Sequence, residues 1–308
     1  MFQGVEGWAS RDDEAADAEW RQQVEADQDR RGYAWALEPV TGPVLLEVRK
    51  AAAKVLESEK PIDATLPAVA REIYRLAGDP TVSLVTLASM IDRDPLMAAQ
   101  LVALANSAFY RPRNRAIESV SEAAQRVGVD GIRTSILMPL LGARLVRDEA
   151  SSRLWSHSNE IAAVCPFVAG LAGLKPESAH LAGLLHDAGR LVTGTDSRRI
   201  EAQFGPAARA AASYVHEEVG AAVLSKWGLP ASICEAVSRH HNPPPRPETD
   251  GARLAHVVAL VDTLVRGLER GVEADAGMLP FCAALGLKPT PVRALAQRLP
   301  DLIAEARR

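Results

Sequence analysis

Two adjacent polar residues, His186 and Asp187, lie inside an apolar run of the sequence that includes Leu184, Leu185 and Ala188. The helical spacing of the apolar residues directs this run toward a protein core. A buried, unpaired carboxylate costs several kcal/mol or is forced to take up a proton. A bound cation removes that cost, and imidazole and carboxylate groups are both metal ligands. The pair therefore indicates a metal site.

Five more polar side chains lie on the apolar faces of predicted helices. His157 is spaced at helical intervals with Ile161 and Val164, and Asp262 follows Val258 by one turn. The complete set of candidate ligands is His157, His186, Asp187, His216, His240, His241 and Asp262. Imidazole and carboxylate together suit zinc, iron or manganese rather than calcium or magnesium alone. The set predicts a divalent metal cofactor.

A simpler interpretation applies to any single histidine on an apolar face. Such a residue is more often a core residue whose ring is hydrogen-bonded to a backbone carbonyl group. We predict this role for His180 and His256, which fall outside the set. For the other five histidines and two aspartates, a metal site or the relic of one explains the whole pattern better.

Composition restricts the class of protein. The chain has 308 residues, 47% of them hydrophobic, which is enough for one large or two modest domains. Its net charge of -4 argues against general nucleic-acid binding. The three cysteines, Cys165, Cys234 and Cys282, form no CxxC pair, so a reducing cytosol fits best. The sequence lacks a signal peptide and any apolar window of about 18 residues, so we expect a cytoplasmic protein without a membrane partner.

Helical patterns follow one another from Pro43 onward, and no alternating strand pattern is convincing. Asp94 is placed to cap one helix, and Ser119 with Glu122 has the spacing of a capping box. Gly128 should stop the helix that the box begins. The sequence predicts an all-α protein.

Three regions follow from these patterns. Residues 1–42 are charge-rich and acidic, and we interpret them as an extension, either a disordered arm or a docking segment anchored by its tryptophans. Residues 43–148 form a predicted N-terminal helical subdomain. Residues 149–308 form a second helical subdomain that carries the His/Asp set.

Two loops could border the site. Arg111, Arg113 and Arg115 form a basic loop, which is either a solvated turn or a phosphate-binding patch. Residues 242–247 form a stiff proline-rich loop directly after the paired histidines. The proline-rich loop could wall one side of the site, and the basic loop would bear on the site if it folds over the metal face.

The order of the histidines and aspartates resembles the HD superfamily of metal-dependent phosphohydrolases. At family level the chain resembles HDOD domains, the HD-related output domains of bacterial signalling, over roughly residues 60–300. The stretches that carry the likeness are Arg-Asp-Pro at 93–95, Ala-Asn-Ser-Ala-Phe-Tyr at 105–110, Ala-Gly-Leu-Leu-His-Asp-Ala-Gly at 182–189, His-Glu-Glu-Val-Gly-Ala at 216–221, Lys-Trp-Gly-Leu-Pro at 226–230, and the histidine pair at 240–241. This resemblance implies an N-terminal helical bundle packed on an HD-like helical bundle.

Similarity to the HD-GYP phosphodiesterases, which open cyclic di-GMP, implies a binuclear site. In that arrangement Asp187 would bridge two metal ions, and His157, His186, His216, His240, His241 and Asp262 would be terminal ligands. Asp187 and Arg190 would take part in catalysis, with Arg190 standing where HD-GYP proteins have a phosphate-binding lysine. The GYP segment is absent, and the proline-rich loop takes its place.

Two functions follow from this resemblance. The first is a regulatory signalling module that acts through contacts with other signalling proteins, with any metal serving structure or sensing. The second is a metal-dependent phosphohydrolase that acts on a nucleotide or a cyclic dinucleotide. An open coordination position and a cleft would indicate the enzyme, whereas a closed site would indicate the module.

Overall fold

A computed structural model describes residues 47–50, 53–54, 57, 67–107, 109–110, 112, 115–146, 149–190, 206–271 and 275–306. The predicted extension, residues 1–42, lies outside this part of the chain, as do Arg111 and Arg113 of the basic loop. Arg115 is described, and its exposed guanidinium donates to Glu122 at 2.9 Å, so it is a surface residue paired with an acid.

Helices are the regular elements of the described ranges, and no strand occurs there, which confirms the all-α prediction. The helices are α1 (Ala68–Leu76), α2 (Leu84–Ile91), α3 (Pro95–Ala105), α4 (Val120–Leu145), α5 (Glu149–Leu171), α6 (Pro176–Leu185), α7 (Pro206–Lys226), α8 (Ala231–Arg239), α9 (Asp250–Arg270), α10 (Asp275–Leu285) and α11 (Pro289–Ala306). Within these ranges, none of the helices is both long and apolar enough to cross a membrane.

The predicted helix ends are confirmed. The Asp94 carboxylate accepts the backbone N–H groups of Leu96 and Met97 at 3.0 and 3.1 Å. Ser119 Oγ accepts the N–H of Glu122 at 3.2 Å and begins α4. Gly128, with a φ of 70°, interrupts α4 as the sequence predicts, because glycine adopts this left-handed conformation without steric cost.

Buried apolar side chains form two clusters. The N-terminal cluster is built from α1 to α4 and includes Ile73, Leu87, Leu101 and Ile132. The C-terminal cluster is built mainly from α5 to α11 and includes Ile161, Leu184, Val258 and Phe281. The predicted metal ligands lie on α5, α7 and α9 and on the turns after α6 and α8. The helices of the C-terminal cluster therefore position all of them.

The two clusters meet along α4 and α5. Phe109, which packs on the N-terminal cluster, forms an edge-to-face contact with Phe167 of α5 at 5.2 Å between ring centroids. Leu137 of α4 and Val48 belong to the C-terminal cluster. The proposed subdomain boundary between residues 148 and 149 stays a prediction, because the segment before it already contributes to both clusters.

Asn106 fastens the segment that connects α3 to α4. Its side-chain Nδ2 donates to the carbonyl groups of Val102 at 3.0 Å and Ile117 at 2.8 Å. Its Oδ1 accepts the N–H of Ile117 at 2.8 Å. The side chain therefore pairs with both the N–H and the carbonyl group of Ile117, as a backbone amide does in a β-ladder.

We expect Asn106→Ala to lower the free energy of unfolding by about 2–3 kcal/mol, since three hydrogen bonds are lost and partly buried backbone groups are left without them. Urea unfolding followed by circular dichroism measures this loss. Asp79→Ala is the control, because Asp79 accepts hydrogen bonds from Thr81 in an exposed turn and should cost less than about 1 kcal/mol. Equal losses in the two variants would contradict the role of Asn106.

Candidate metal centre

Five segments of the C-terminal cluster meet at the candidate site. His157 comes from α5, His186 and Asp187 follow the end of α6, and His216 lies within α7. His240 and His241 follow the end of α8, and Asp262 lies within α9. Because these segments pack on one another, side chains separated by more than a hundred residues in the sequence come into contact.

Glycines allow the segments to approach closely. A Cβ atom placed on Gly189 would lie 2.0 Å from the carbonyl oxygen of His216 and 2.8 Å from the backbone nitrogen of Gly220. Only a residue without a side chain fits there. The contact holds the turn that carries Asp187 directly against α7, which carries His216.

Asp187, His216, His240 and His241 form the first group of candidate ligands, and their ligand atoms all lie within 4.8 Å of one another. His216 Nε2 is 3.2 Å from Asp187 Oδ1 and 3.2 Å from His240 Nε2. Two nitrogen atoms bound to one zinc ion at about 2.1 Å are separated by roughly 3.0–3.4 Å. The spacing of these groups therefore fits a single ion.

His157, His186 and Asp187 form the second group, again with all ligand atoms within 4.8 Å. His186 Nε2 is 3.4 Å from Asp187 Oδ2, the oxygen that does not face His216. Asp187 thus belongs to both groups and presents a different oxygen atom to each. This is the arrangement that a bridging carboxylate requires.

The hydrogen bonds of two rings fix which nitrogen faces the centre. His186 Nδ1 donates to the carbonyl oxygen of Gly183 at 2.7 Å, and His240 Nδ1 donates to that of Val237 at 2.8 Å. A carbonyl group only accepts, so Nδ1 of each ring carries a proton, and Nε2 is the nitrogen that is turned toward the other ligands. Backbone carbonyls orient metal-binding histidines in this way.

Several polar atoms at the centre lack hydrogen bonds. His186 Nε2 and both carboxylate oxygens of Asp187 are buried without a hydrogen-bond partner. Arg190 Nε lies 2.9 Å from Asp187 Oδ1 but does not have the orientation of a hydrogen bond. Burying such atoms costs free energy. A divalent cation would satisfy them, so the residues fit the metal that the sequence predicts.

Electrostatics keep most of the cluster in the form that binds cations. Burial and the neighbouring imidazoles hold the pKa of His240 well below its usual value, and burial lowers the pKa of His241 to about 3. Burial would raise the pKa of Asp187, but protonated His186 and Arg190 outweigh it and hold that pKa well below normal. Burial would lower the pKa of His186, but the Asp187 carboxylate raises it, so His186 must release a proton to bind a metal. Neutral imidazole and ionised carboxylate are the ligand forms.

Asp262 is the predicted ligand that the structure does not bring into either group. Its two oxygens accept from Arg266 Nε at 2.7 and 2.8 Å, and its Oδ1 is 3.0 Å from His157 Nε2. Arg266 lies one turn further along α9, so the two side chains meet on the same face of the helix. The role of Asp262 as a ligand stays a prediction.

Arg190 lies at the edge of the first group. Its Nη2 is 3.5 Å from His241 Nε2, and its side chain is 27% exposed. One side of the guanidinium faces the Asp187 carboxylate, while the rest reaches solvent. This position suits a phosphate contact, as the sequence predicts, but it equally suits a cation that balances the buried carboxylate.

Glu217 is a site residue that sequence analysis missed. Its Oε1 accepts the backbone N–H of His241 at 2.8 Å and lies 3.5 Å from His240 Nδ1. Through this hydrogen bond the side chain holds the turn that places both histidines. Burial raises the pKa of Glu217 to about 7. Its position directly after His216 was visible in the sequence, but its partner lies on another helix.

We expect Glu217→Ala to weaken metal binding by about tenfold, because the turn that carries His240 and His241 loses its anchor. Isothermal titration of the chelator-treated chain with zinc measures this change. Glu218→Ala is the matched control, since Glu218 forms only an exposed ion pair with Arg49. Equal affinities in the two variants would show that Glu217 does not position the histidines.

The remaining two histidines have the structural role that the sequence predicts. His180 Nδ1 donates to the carbonyl oxygen of Ala162 at 2.9 Å, and His256 Nε2 donates to that of Pro244 at 2.7 Å. Burial lowers the pKa of His180 to about 4, so its ring is neutral at physiological pH. His256 ties the proline-rich loop to α9 and takes no part in the cluster.

Solved structures share this fold. A protein from Shewanella amazonensis SB2B, named as a candidate metal-dependent phosphohydrolase, matches with a TM-score of 0.67 and 21% identity over 85% of this chain and 99% of that one. An HDOD domain protein of unknown function from Geobacter sulfurreducens matches with a TM-score of 0.60 and 24% identity over 85% and 96%. At these identities the likeness shows the fold alone.

Curated relatives match over less of their length. An uncharacterized protein of Treponema pallidum (strain Nichols) is 28% identical over 222 residues, which are 66% of this chain and 42% of the relative. Ribonuclease Y of Syntrophobacter fumaroxidans is 28% identical over 210 residues, which are 65% and 37%. The chain therefore spans about two fifths of the length of these relatives.

The family model of the HDOD domain matches residues 64–243. This match contains the cap at Asp94, the anchor at Asn106 and six of the seven predicted ligands, all but Asp262. It covers more than half of the chain and agrees with the all-helical fold and the HDOD resemblance of the sequence. The chain belongs to the HDOD family.

Proposed function

We propose that this chain is a regulatory HDOD module that acts through contacts with signalling proteins and binds a divalent metal ion in its His/Asp cluster. One observation carries the metal assignment. His186 Nε2 and both oxygens of Asp187 are buried without hydrogen bonds, although neighbouring ring nitrogens converge on the carboxylate. A divalent ion would bind these atoms together and satisfy them.

The burial of the first group supports a regulatory role over a catalytic one. Asp187 and His216 are fully buried, and His240 and His241 are 1% and 8% exposed. Structural metal sites are closed by protein ligands, whereas catalytic sites keep a position for water or substrate. An ion held by these four side chains would stabilise the packing of α6, α7 and α8.

A module of this kind requires a surface for its partner. Three large apolar side chains on α1, α2 and α3, which are Val69, Val85 and Leu96, are between 50% and 72% exposed. A signalling protein that covers them would bind on helices that do not carry the metal ligands. A structural neighbour from Marinobacter aquaeolei VT8, with a TM-score of 0.57, is named as a candidate signal transduction protein.

Elemental analysis of chain purified without chelator tests the metal assignment. We expect at least one equivalent of zinc, iron or manganese per chain, because the ligand set is rich in imidazole. Chelation should also lower the melting temperature, since the energy of metal binding contributes to folding. A chain that holds no metal, and whose melting does not respond to added metal, would contradict the assignment.

A metal-dependent phosphohydrolase is the second candidate, and the second group of ligands favours it. His157 is 15% exposed at its side chain, and Arg190 also reaches solvent. A bound ion would supply Lewis acidity toward a phosphoryl oxygen and lower the pKa of a water molecule. Asp187 would hold that ion, while Arg190 would bind and orient the phosphate through its planar guanidinium.

Metal-loaded chain assayed against cyclic dinucleotides, nucleotides and single-stranded RNA tests this candidate. RNA belongs among the substrates because relatives include proteins named ribonuclease Y. Turnover that disappears with chelator and with Arg190→Met would establish the enzyme. No turnover of any of these phosphoesters by chain that has been shown to contain metal would leave the regulatory module.

A further inference from the structure

Asp262 and Arg266 form an ion pair beside the second group of ligands. Arg266 Nε donates to both carboxylate oxygens, at 2.7 and 2.8 Å, from one turn further along α9. Asp262 is 11% exposed and Arg266 is 34% exposed at the side chain. The Asp262 carboxylate is thus already paired with a cation of the chain itself, the guanidinium of Arg266.

The same carboxylate holds the ring of His157. The distance from His157 Nε2 to Asp262 Oδ1 is 3.0 Å, and an ionised carboxylate only accepts hydrogen bonds. His157 Nε2 therefore points at Asp262 and is engaged in this contact. To bind an ion through Nε2, the His157 ring would have to leave Asp262.

The two groups of ligands consequently differ in readiness. In the first group, His216 Nε2 faces both His240 Nε2 and Asp187 Oδ1, and all ligand atoms lie within 4.8 Å of one another. In the second group, His157 Nε2 contacts Asp262, and both oxygens of Asp262 accept from Arg266. His186 Nε2 and Asp187 Oδ2 are the atoms of the second group that remain without a hydrogen bond.

We propose that Arg266 acts as an internal cation in place of a second metal ion, so that the cluster binds one divalent ion tightly and admits a second only when Arg266 leaves Asp262. This inference rests on the proposed metal binding and specifies its stoichiometry. The guanidinium neutralises the carboxylate that a second ion would need, and its Nε–H is shared between both oxygens.

Removing the guanidinium should allow a second ion to bind. A carboxylate as buried as Asp262 is strongly destabilising without a cation. In Arg266→Gln the charge is lost while a polar side chain of similar reach remains. Asp262 can then turn toward a divalent ion shared with His157, His186 and Asp187, and the ion replaces the lost positive charge.

The test is the number of metal equivalents per chain in zinc at a fixed low excess, measured after gel filtration. We expect about one equivalent for the wild type and about two for Arg266→Gln. The double variant with Arg266→Gln and Asp262→Asn should return to one, because the carboxylate that receives the second ion is gone. Arg75→Gln is the matched control, since Arg75 pairs with Glu72 on its own helix, α1, far along the chain from the site, and it should stay at one.

Three results would overturn the inference. These are a wild type that already holds two tightly bound ions, an Arg266→Gln variant that folds and still holds one, and a double variant that keeps two. A wild type without any metal would instead contradict the proposed function, so the two failures are distinguishable.

If Arg266→Gln does not fold, titration of the metal-free wild type decides the question. A first ion should bind at a concentration at least about a hundredfold lower than the second, which corresponds to roughly 2.7 kcal/mol. Asp262→Asn should abolish the second binding event and leave the first unchanged. Two equal binding events, or a second one that does not depend on Asp262, would overturn the role of Arg266.

Discussion

Asp187→Ala is expected to remove the bound metal altogether, because this carboxylate belongs to both groups of candidate ligands. The variant should retain less than about a tenth of the wild-type metal content. With metal in roughly hundredfold excess over its dissociation constant, binding stabilises the wild type by about 2.7 kcal/mol. The melting temperature of the variant should therefore be lower by roughly 5–10 °C.

Chelator separates this effect from a packing defect. In metal-free protein the wild type keeps a buried carboxylate without hydrogen bonds, whereas the variant has an alanine there. The difference in melting temperature should then shrink or change sign. Asp301→Ala, at an exposed position of α11, should change neither metal content nor melting. Unaltered metal content in Asp187→Ala would refute the metal assignment at its centre.

The sequence was most informative where local rules decide the structure. Asp94 caps α3 as predicted, because capping depends on neighbouring residues alone. The same holds for the two structural histidines. The ligand set could be assembled from the sequence because each member interrupts an apolar helix face. A polar side chain on such a face is buried, and its burial costs free energy whatever the rest of the fold is.

Contacts between distant segments were harder to predict. Glu217 supports His241 across α7 and α8, and no helical period connects the two residues. The pair of Asp262 and Arg266 is different, because a spacing of four residues on one helix favours an ion pair. That spacing competes with the ligand role that the family resemblance implies, and the sequence alone does not show which partner the carboxylate takes.

Gly189 illustrates a third kind of information, the space available between backbones. In the sequence it is only the residue that ends the stretch with His186 and Asp187. In the structure its Cα faces the carbonyl oxygen of His216, and Gly220 lies opposite on α7. Gly189 and Gly220, which have no side chain to bind a metal, therefore set the distance between Asp187 and His216. Metal binding depends on this distance.

Gly189→Ala should be strongly destabilising. The added methyl group would lie 2.0 Å from a backbone oxygen that cannot rotate away, so α7 must shift relative to the turn after α6. We expect a loss of at least about 3 kcal/mol in the free energy of unfolding. Metal affinity should fall as well, because the shift separates His216 from Asp187. Urea unfolding and zinc titration measure the two effects.

Gly170→Ala provides the comparison that makes this result interpretable. Gly170 lies in α5, and a methyl group there would meet no atom within 4 Å. Alanine favours helix more than glycine does, so this variant should be unchanged or more stable by up to about 1 kcal/mol. If both substitutions behave alike, the close approach at Gly189 is not what positions the cluster. If only Gly189→Ala loses stability and metal together, backbone contact between α7 and the His-Asp turn determines the geometry of the centre.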